Sequence, residues 1–92
     1  MNTHCYGLKL FISTYATSSQ RAVSNLNRIL EEHLKGRYKL AVIDVRKQPE
    51  IVLAENITAL PLLIRNTPSP TRRLVGDMSD TVRVLRGLEC IV

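Results

Sequence analysis

The sequence predicts a single α/β domain, spanning residues 1–92, with the element order βαβαββα. Three observations carry that reading. The chain opens with an apolar run, a long amphipathic segment and a second apolar run, the signature of a βαβ unit. A proline then stands at the entrance of a third strand-like run, and a short Pro-rich turn separates that run from a fourth. At 92 residues, 45% of them hydrophobic, the chain can bury one core and not two. Only 4% are aromatic, so aliphatic side chains must build that core. No repeat or low-complexity linker divides it.

"YGLKLFIS", residues 6–13, places Leu8, Leu10 and Ile12 on one face and Phe11 on the other, as in a central strand covered on both sides. Thr17, Ser18 and Ser19 offer a helix cap, and Thr17 with Gln20 fits a capping box. In the helix that follows, Val23, Leu26, Ile29, Leu30 and Leu34 form one stripe, while Arg21, Asn25, Arg28, Glu32 and Lys35 fall mostly outside it. Gly36 supplies a left-handed stop. "YKLAVIDV", residues 38–45, is a second strand, rich in Cβ-branched residues and expected to run parallel to the first. Pro49 suits the first turn of a short, weaker helix in "EIVLAEN".

Pro61 interrupts the apolar run "ITALPLLIR". It has no N–H to give to a ladder, which places it at a strand's first residue, an edge or a bulge. "LLIR" and "TRRLV", joined by "NTPSP", should pair as an antiparallel hairpin. Gly76-Asp77 ends it, and Ser79 can cap a last helix with Val82, Leu85 and Leu88 at helical spacing, Val84 beside them and Gly87 weakening its end. This is the order of a minimal thioredoxin-like domain, in which Pro61 would follow a cis peptide bond.

The net charge of +5 does not by itself choose a partner. The basic residues are scattered apart from Arg65, Arg72 and Arg73, and no aromatic residues interleave with that cluster to stack bases, so nucleic acid is not the expected partner. No apolar run approaches the roughly 18 residues of a membrane span, and "MNTHCYGLKL" lacks the pattern of an export signal. A soluble, cytoplasmic protein without a membrane partner is expected. Cys5 and Cys90 fit no C-x-x-C or metal spacing and read as buried, reduced thiols, and His4 and His33 lack ligand partners at i+3 or i+4. Neither metal nor cofactor is expected.

A thioredoxin-like oxidoreductase carries its nucleophilic cysteine in the loop after the first strand. Here that loop is "STYATSS", without cysteine, and Ser13, Thr14, Thr17, Ser18 and Ser19 are expected to have no nearby His or carboxylate to activate them. Asp44, Asp77 and Asp80 have structural roles at hand as a strand end, a turn and a helix first turn. The four glycines are ungrouped, so no phosphate-cradling loop is present. The expectation is a protein that is not an enzyme.

The blocks "LKLFIS", "NRILEEHLKGRYKLAVIDVRKQPEI", "ALPLL" and "PSPTRRLVGDMSDTVRVLRGL" resemble the KaiB family of circadian clock proteins, a resemblance that covers residues 6–89. The resemblance implies a non-enzymatic adaptor that binds the first ATPase ring of a KaiC-type hexamer and modulates its phosphorylation or signalling state, in a clock-like or stress-response system. It also implies a homo-oligomer, dimer or tetramer, and a second topology: a βαββααβ ground state, commonly a homotetramer, whose second half refolds into the thioredoxin-like form. Tyr6, Arg21, Asn56, Ala59, Arg65 and Arg73 match partner-surface positions of the family. Arg72 and Arg73 would supply paired guanidiniums for bidentate bonds to partner carboxylates. Pro61, Pro68 and Pro70 would lock one topology or the other, and Gly87 and Glu89 would bias the choice. The chain departs from the family at Asn56, where a basic residue is usual, at Thr14-Tyr15-Ala16, where Gly-Asn-Thr is usual, and at Glu89, which replaces Asp. The alternatives are a thioredoxin-like sensory domain of the SasA type, or a degenerate redox-fold protein.

Overall fold

Leu10 and Phe11 are adjacent in the chain, both wholly buried and on opposite faces of one strand, so the sheet must be covered on both sides. The computed structural model describes residues 5–14 and 16–88. Its elements are β1 (Tyr6–Ile12), α1 (Thr17–His33), β2 (Tyr38–Asp44), α2 (Glu50–Ala54), β3 (Leu62–Thr67), β4 (Arg72–Val75) and α3 (Thr81–Gly87). This is the βαβαββα order expected from the sequence, with residues 50–88 in the thioredoxin-like arrangement. The strands lie in the order β2-β1-β3-β4. β1 runs parallel to β2, with Leu8 opposite Leu40 and Ile12 opposite Asp44, while β3 pairs antiparallel with both β1 and β4.

Tyr6, Leu8 and Leu10 join Ala22, Leu26, Ile29, Leu30 and Leu34 from the α1 side, and Val84, Leu85 and Leu88 from the α3 side, in the larger core cluster. Phe11 turns the other way, to Val45, Ile57, Leu62 and Ile64, against which Ile51 and Val52 of α2 pack. The predicted stripe of α1 is buried from Leu26 onward, with Ala22 inside and Val23 only partly so. Gly36 adopts φ +78°, the left-handed stop that its missing Cβ permits.

Pro61 stands directly before β3, and its peptide bond to Leu60 is cis, as are those before Pro68 and Pro70. Lacking a donor, it still contributes an acceptor: the Gly76 N–H donates to its carbonyl at 3.1 Å. β3 extends to Thr67, two residues beyond the predicted strand. There the register with β1 shifts, because Leu8 faces Arg65 while Gly7 faces Thr67. The Gly7 N–H donates to Thr67 Oγ1 at 2.9 Å, and a Cβ on Gly7 would lie 2.5 Å from that oxygen.

Several local expectations are corrected. The capping box at Thr17 and Gln20 does not form: the extended residue before α1 is Ala16, which has no side-chain acceptor, and Thr17 is already helical. Instead Ser19 Oγ accepts the Ser13 N–H at 3.1 Å and ties the preceding loop to the helix. Asp80, not Ser79, caps α3, with its carboxylate accepting the Arg83 N–H at 3.1 Å. That start sets the helix phase so that Val84, Leu85 and Leu88 point inward while Val82 is 58% exposed. Cys5 is exposed rather than buried, because it precedes the strand that enters the core. His4, Tyr15, Glu89 and Cys90 lie outside the described residues.

Two stability measurements check these assignments by chemical denaturation. Asp80→Ala should cost about 1 kcal/mol, whereas Asp80→Asn, which keeps a capping oxygen, should cost far less. Leu26→Ala should cost about 2–5 kcal/mol through lost burial and a cavity, while Val82→Ala should stay within about 0.5 kcal/mol.

Candidate partner-binding site

The parallel pairing of β1 and β2 brings their C-terminal ends to one end of the sheet, together with the start of β3 and the end of β4, since Phe11 faces Leu62 and Leu62 faces Val75. The β1–α1 loop, Ala59 to Pro61 and Gly76-Asp77 therefore gather there. Loops at the carboxyl ends of parallel strands are common sites of recognition in α/β folds. Arg21 belongs to this end as well: its Nε lies 3.5 Å from Asp77 Oδ2, and Asn25 Nδ2 donates to the Asp77 carbonyl at 3.0 Å.

The residues that the resemblance places at partner surfaces divide between the two ends of the sheet. Arg21 and Ala59 are exposed at this end. Asn56 is exposed just after α2, with φ +54°, a left-handed conformation that asparagine accepts readily at a helix C-terminus. Tyr6, Arg65 and Arg72 sit toward the other end, where Arg65 faces both Leu8 and Arg72. Tyr6 and Arg65 are not surface residues in this arrangement, at 8% and 3% exposure, because their side chains point to the face covered by α1 and α3. Arg72 and Arg73 are exposed but consecutive in a strand, so they project from opposite faces and form no joint fork. Gly87, expected to weaken α3, packs closely on Leu74: a Cβ there would meet Leu74 Cδ2 at 3.2 Å.

Arg73 reaches the C-terminal end of α2, donating to the Glu55 carbonyl and, at 3.3 Å, to that of Asn56. Beside them Leu53 is 88% exposed, the most exposed of the large hydrophobic residues described. Sequence reading missed it, because a five-residue helix is too short for periodicity to separate Leu53 from the inward Ile51 and Val52. Among the described residues, the brevity of α2 also leaves part of its sheet face uncovered, as an open depression of about 250 Å³ lined by Gly7, Lys9, Lys39, Ala41 and Asn66 among others.

The β1–α1 loop corrects one further expectation. The Thr14 hydroxyl does have a carboxylate partner, Asp44, delivered by the register that sets Ile12 against Asp44. The Thr14 hydroxyl and the Arg46 N–H hold the Asp44 carboxyl below its ordinary range. Asp77 is likewise lowered, chiefly by the Ser79 side chain and N–H and then by the Arg21 charge. Tyr38 is raised, because its hydroxyl donates to Glu31 Oε2 at 2.6 Å. Among the described residues no group of three or more His, Cys, Asp or Glu could hold a metal ion. No helix among them is long and apolar enough to cross a membrane.

Comparison with known proteins places these features in a family. Residues 9–90 match the model of the KaiB domain. The circadian clock oscillator protein KaiB of Prochlorococcus marinus (strain MIT 9312) is 44% identical over 86 residues, covering 94% of this chain and 82% of the relative. The protein of the same name from Thermosynechococcus vestitus (strain NIES-2133 / IAM M-273 / BP-1) is 43% identical, covering 94% and 80%. Among solved structures, the N-terminal domain of Synechococcus elongatus SasA is similar with a TM-score of 0.75 and 25% identity, covering 97% of this chain and 88% of that one. Mitochondrial thioredoxin 3 from Saccharomyces cerevisiae is similar with a TM-score of 0.76 at 13% identity, covering 96% and 80%, a likeness of fold alone. By its family-model match and its identity along nearly its full length to these clock proteins, the chain belongs to the KaiB family.

Proposed function

We propose that this protein is a non-enzymatic, cytoplasmic adaptor that binds the ATPase ring of a KaiC-type hexamer and modulates its phosphorylation or signalling state in a clock-like or stress-response system. The observation that carries the reading is the 44% identity over 94% of the chain to proteins named circadian clock oscillator protein KaiB. The β1–α1 loop supports it, since that position holds no cysteine in this chain. As part of the same reading, the free protein is a dimer or tetramer, and its second half exchanges between the βαββααβ topology and the thioredoxin-like one, with Pro61, Pro68, Pro70, Gly87 and Glu89 biasing the balance.

The docking surface in this reading comprises Arg21, Ala59 and Asn56 with Leu53, all exposed on or near the end of the sheet that gathers the loops. An exposed leucine on a short helix can serve as the apolar anchor around which polar contacts close. The SasA type is the second reading, favoured by the 25% identity and TM-score of 0.75 to that sensory domain. The higher identity to KaiB proteins ranks it below the first.

Gel filtration with a KaiC-type ATPase in ATP should move the protein into the hexamer's peak; no shift in ATP, ADP or a non-hydrolysable analogue would refute the adaptor reading. Leu53→Glu should weaken that binding at least tenfold, a loss of about 1.4 kcal/mol or more, with the melting temperature unchanged because the side chain is solvent-exposed. Unchanged affinity would remove Leu53 from the interface.

A further inference from the structure

Arg65 and Arg73 lie on opposite faces of the β3–β4 hairpin, yet both donate to the same kind of acceptor. Arg65 gives one guanidinium nitrogen to the carbonyl of Leu88, the C-cap of α3, and the other to the Pro70 carbonyl at 2.7 Å. Arg73 gives its two to the carbonyls of Glu55, the C-cap of α2, and Asn56. The last carbonyls of a helix have no partner within it and form the negative end of its dipole, so a cation that donates there meets both needs.

These two helices need outside support. α2 spans five residues and α3 seven, well short of the length at which a helix persists alone in water. α2 has no buried residue, no side-chain bond at its N-cap and no basic residue of its own in the last turn. Arg65 shows the same logic from the buried side. It is 3% exposed, its Nε has no partner, and its two terminal nitrogens donate to carbonyls rather than to a carboxylate. Burying a guanidinium is costly, and the C-terminal end of α3 supplies the compensating negative potential. The Pro70 bond adds the hairpin turn to the same anchor.

We propose that Arg65 and Arg73 are internal clamps, each fastening one short helix to the hairpin, so that loss of either releases its own helix locally while the rest of the fold stays closed. Arg65 thereby acts within the molecule rather than as a contact at its surface. Arg73 is a positioning residue for the α2 end that carries Leu53 and Asn56. Stability in proteins is distributed in local units, and α2, with no buried residue, depends on its clamp more than α3, which also buries Val84 and Leu85.

Native-state amide exchange followed by NMR tests the clamps without any partner. Arg65→Met should speed exchange of the Val84 and Leu88 amides, which donate to Asp80 and Val84, at least tenfold while Leu26 to Leu30 stay protected. Arg73→Gln should do the same for Glu55, Asn56 and Ile57, whose amides donate to Ile51, Leu53 and Val52, and leave α3 unchanged. If Arg65→Met does not fold, Arg65→Lys, which keeps the charge but not the fork, should show a smaller acceleration confined to α3. Unchanged rates in the two helices, or equal acceleration throughout α1 and the sheet, would overturn the proposal.

Discussion

The burial of β1 on both faces is the constraint from which the rest of the architecture follows. Leu8 and Leu10 require cover on one side and Phe11 on the other, and all three are at most 3% exposed. Parallel pairing with β2 requires a crossover, which α1 provides while covering the first face. Among the described residues, the second face receives α2 with Val45, Ile57 and Leu60 beside it, which cover the Phe11 end and leave the Gly7 end open. One side of the molecule is thus a packed layer of two helices, and the other a partly covered sheet.

Both halves supply fully buried residues to the core, and the second adds a set of arginine bonds to backbone carbonyls. The β1–α1–β2 unit is secured by fully buried aliphatic residues, from Leu10 through Ile29 and Leu30. Residues 50–88 add Leu63, Ile64, Met78, Val84 and Leu88 to that core, each at most 1% exposed, together with side-chain bonds to backbone: Arg73 to α2, Arg65 to α3 and the hairpin turn, Arg83 to the Val75 carbonyl at 2.9 Å, and Asn25 to the Asp77 carbonyl, beside which Arg21 pairs with the Asp77 carboxylate. Hydrogen bonds that involve a charged group are individually worth about 1.5–3 kcal/mol. In the adaptor reading, the surface offered to a partner is built on this second half, where Leu53, Asn56 and Ala59 project into solvent.

The element order was legible because hydrophobic period, proline position and turn residues all agreed. β1 declared its two-sided burial through Phe11, and the α1 stripe showed at helical spacing from Leu26 to Leu34. Caps were less legible, because several hydroxyl and carboxylate residues were adjacent and only backbone conformation decides among them: Ala16 and Asp80 hold the extended positions, not Thr17 and Ser79. The family was legible from the combined blocks, and the family-model match over residues 9–90 agrees. The site was not. Position matching put Tyr6 and Arg65 at a surface, but strand parity and register turn both inward, and parity likewise parts Arg72 from Arg73. The Thr14 to Asp44 bond joins residues 30 apart in sequence and follows only from the parallel register.

Native mass spectrometry of the protein mixed with a KaiC-type hexamer in ATP tests the central claim most directly, because it reads the assembly itself. The account predicts a series of masses above the hexamer, separated by the 10.4 kDa of this chain and ending at one copy per ATPase subunit. A spectrum of bare hexamer beside free protein, at concentrations well above micromolar and in every nucleotide state, would contradict it.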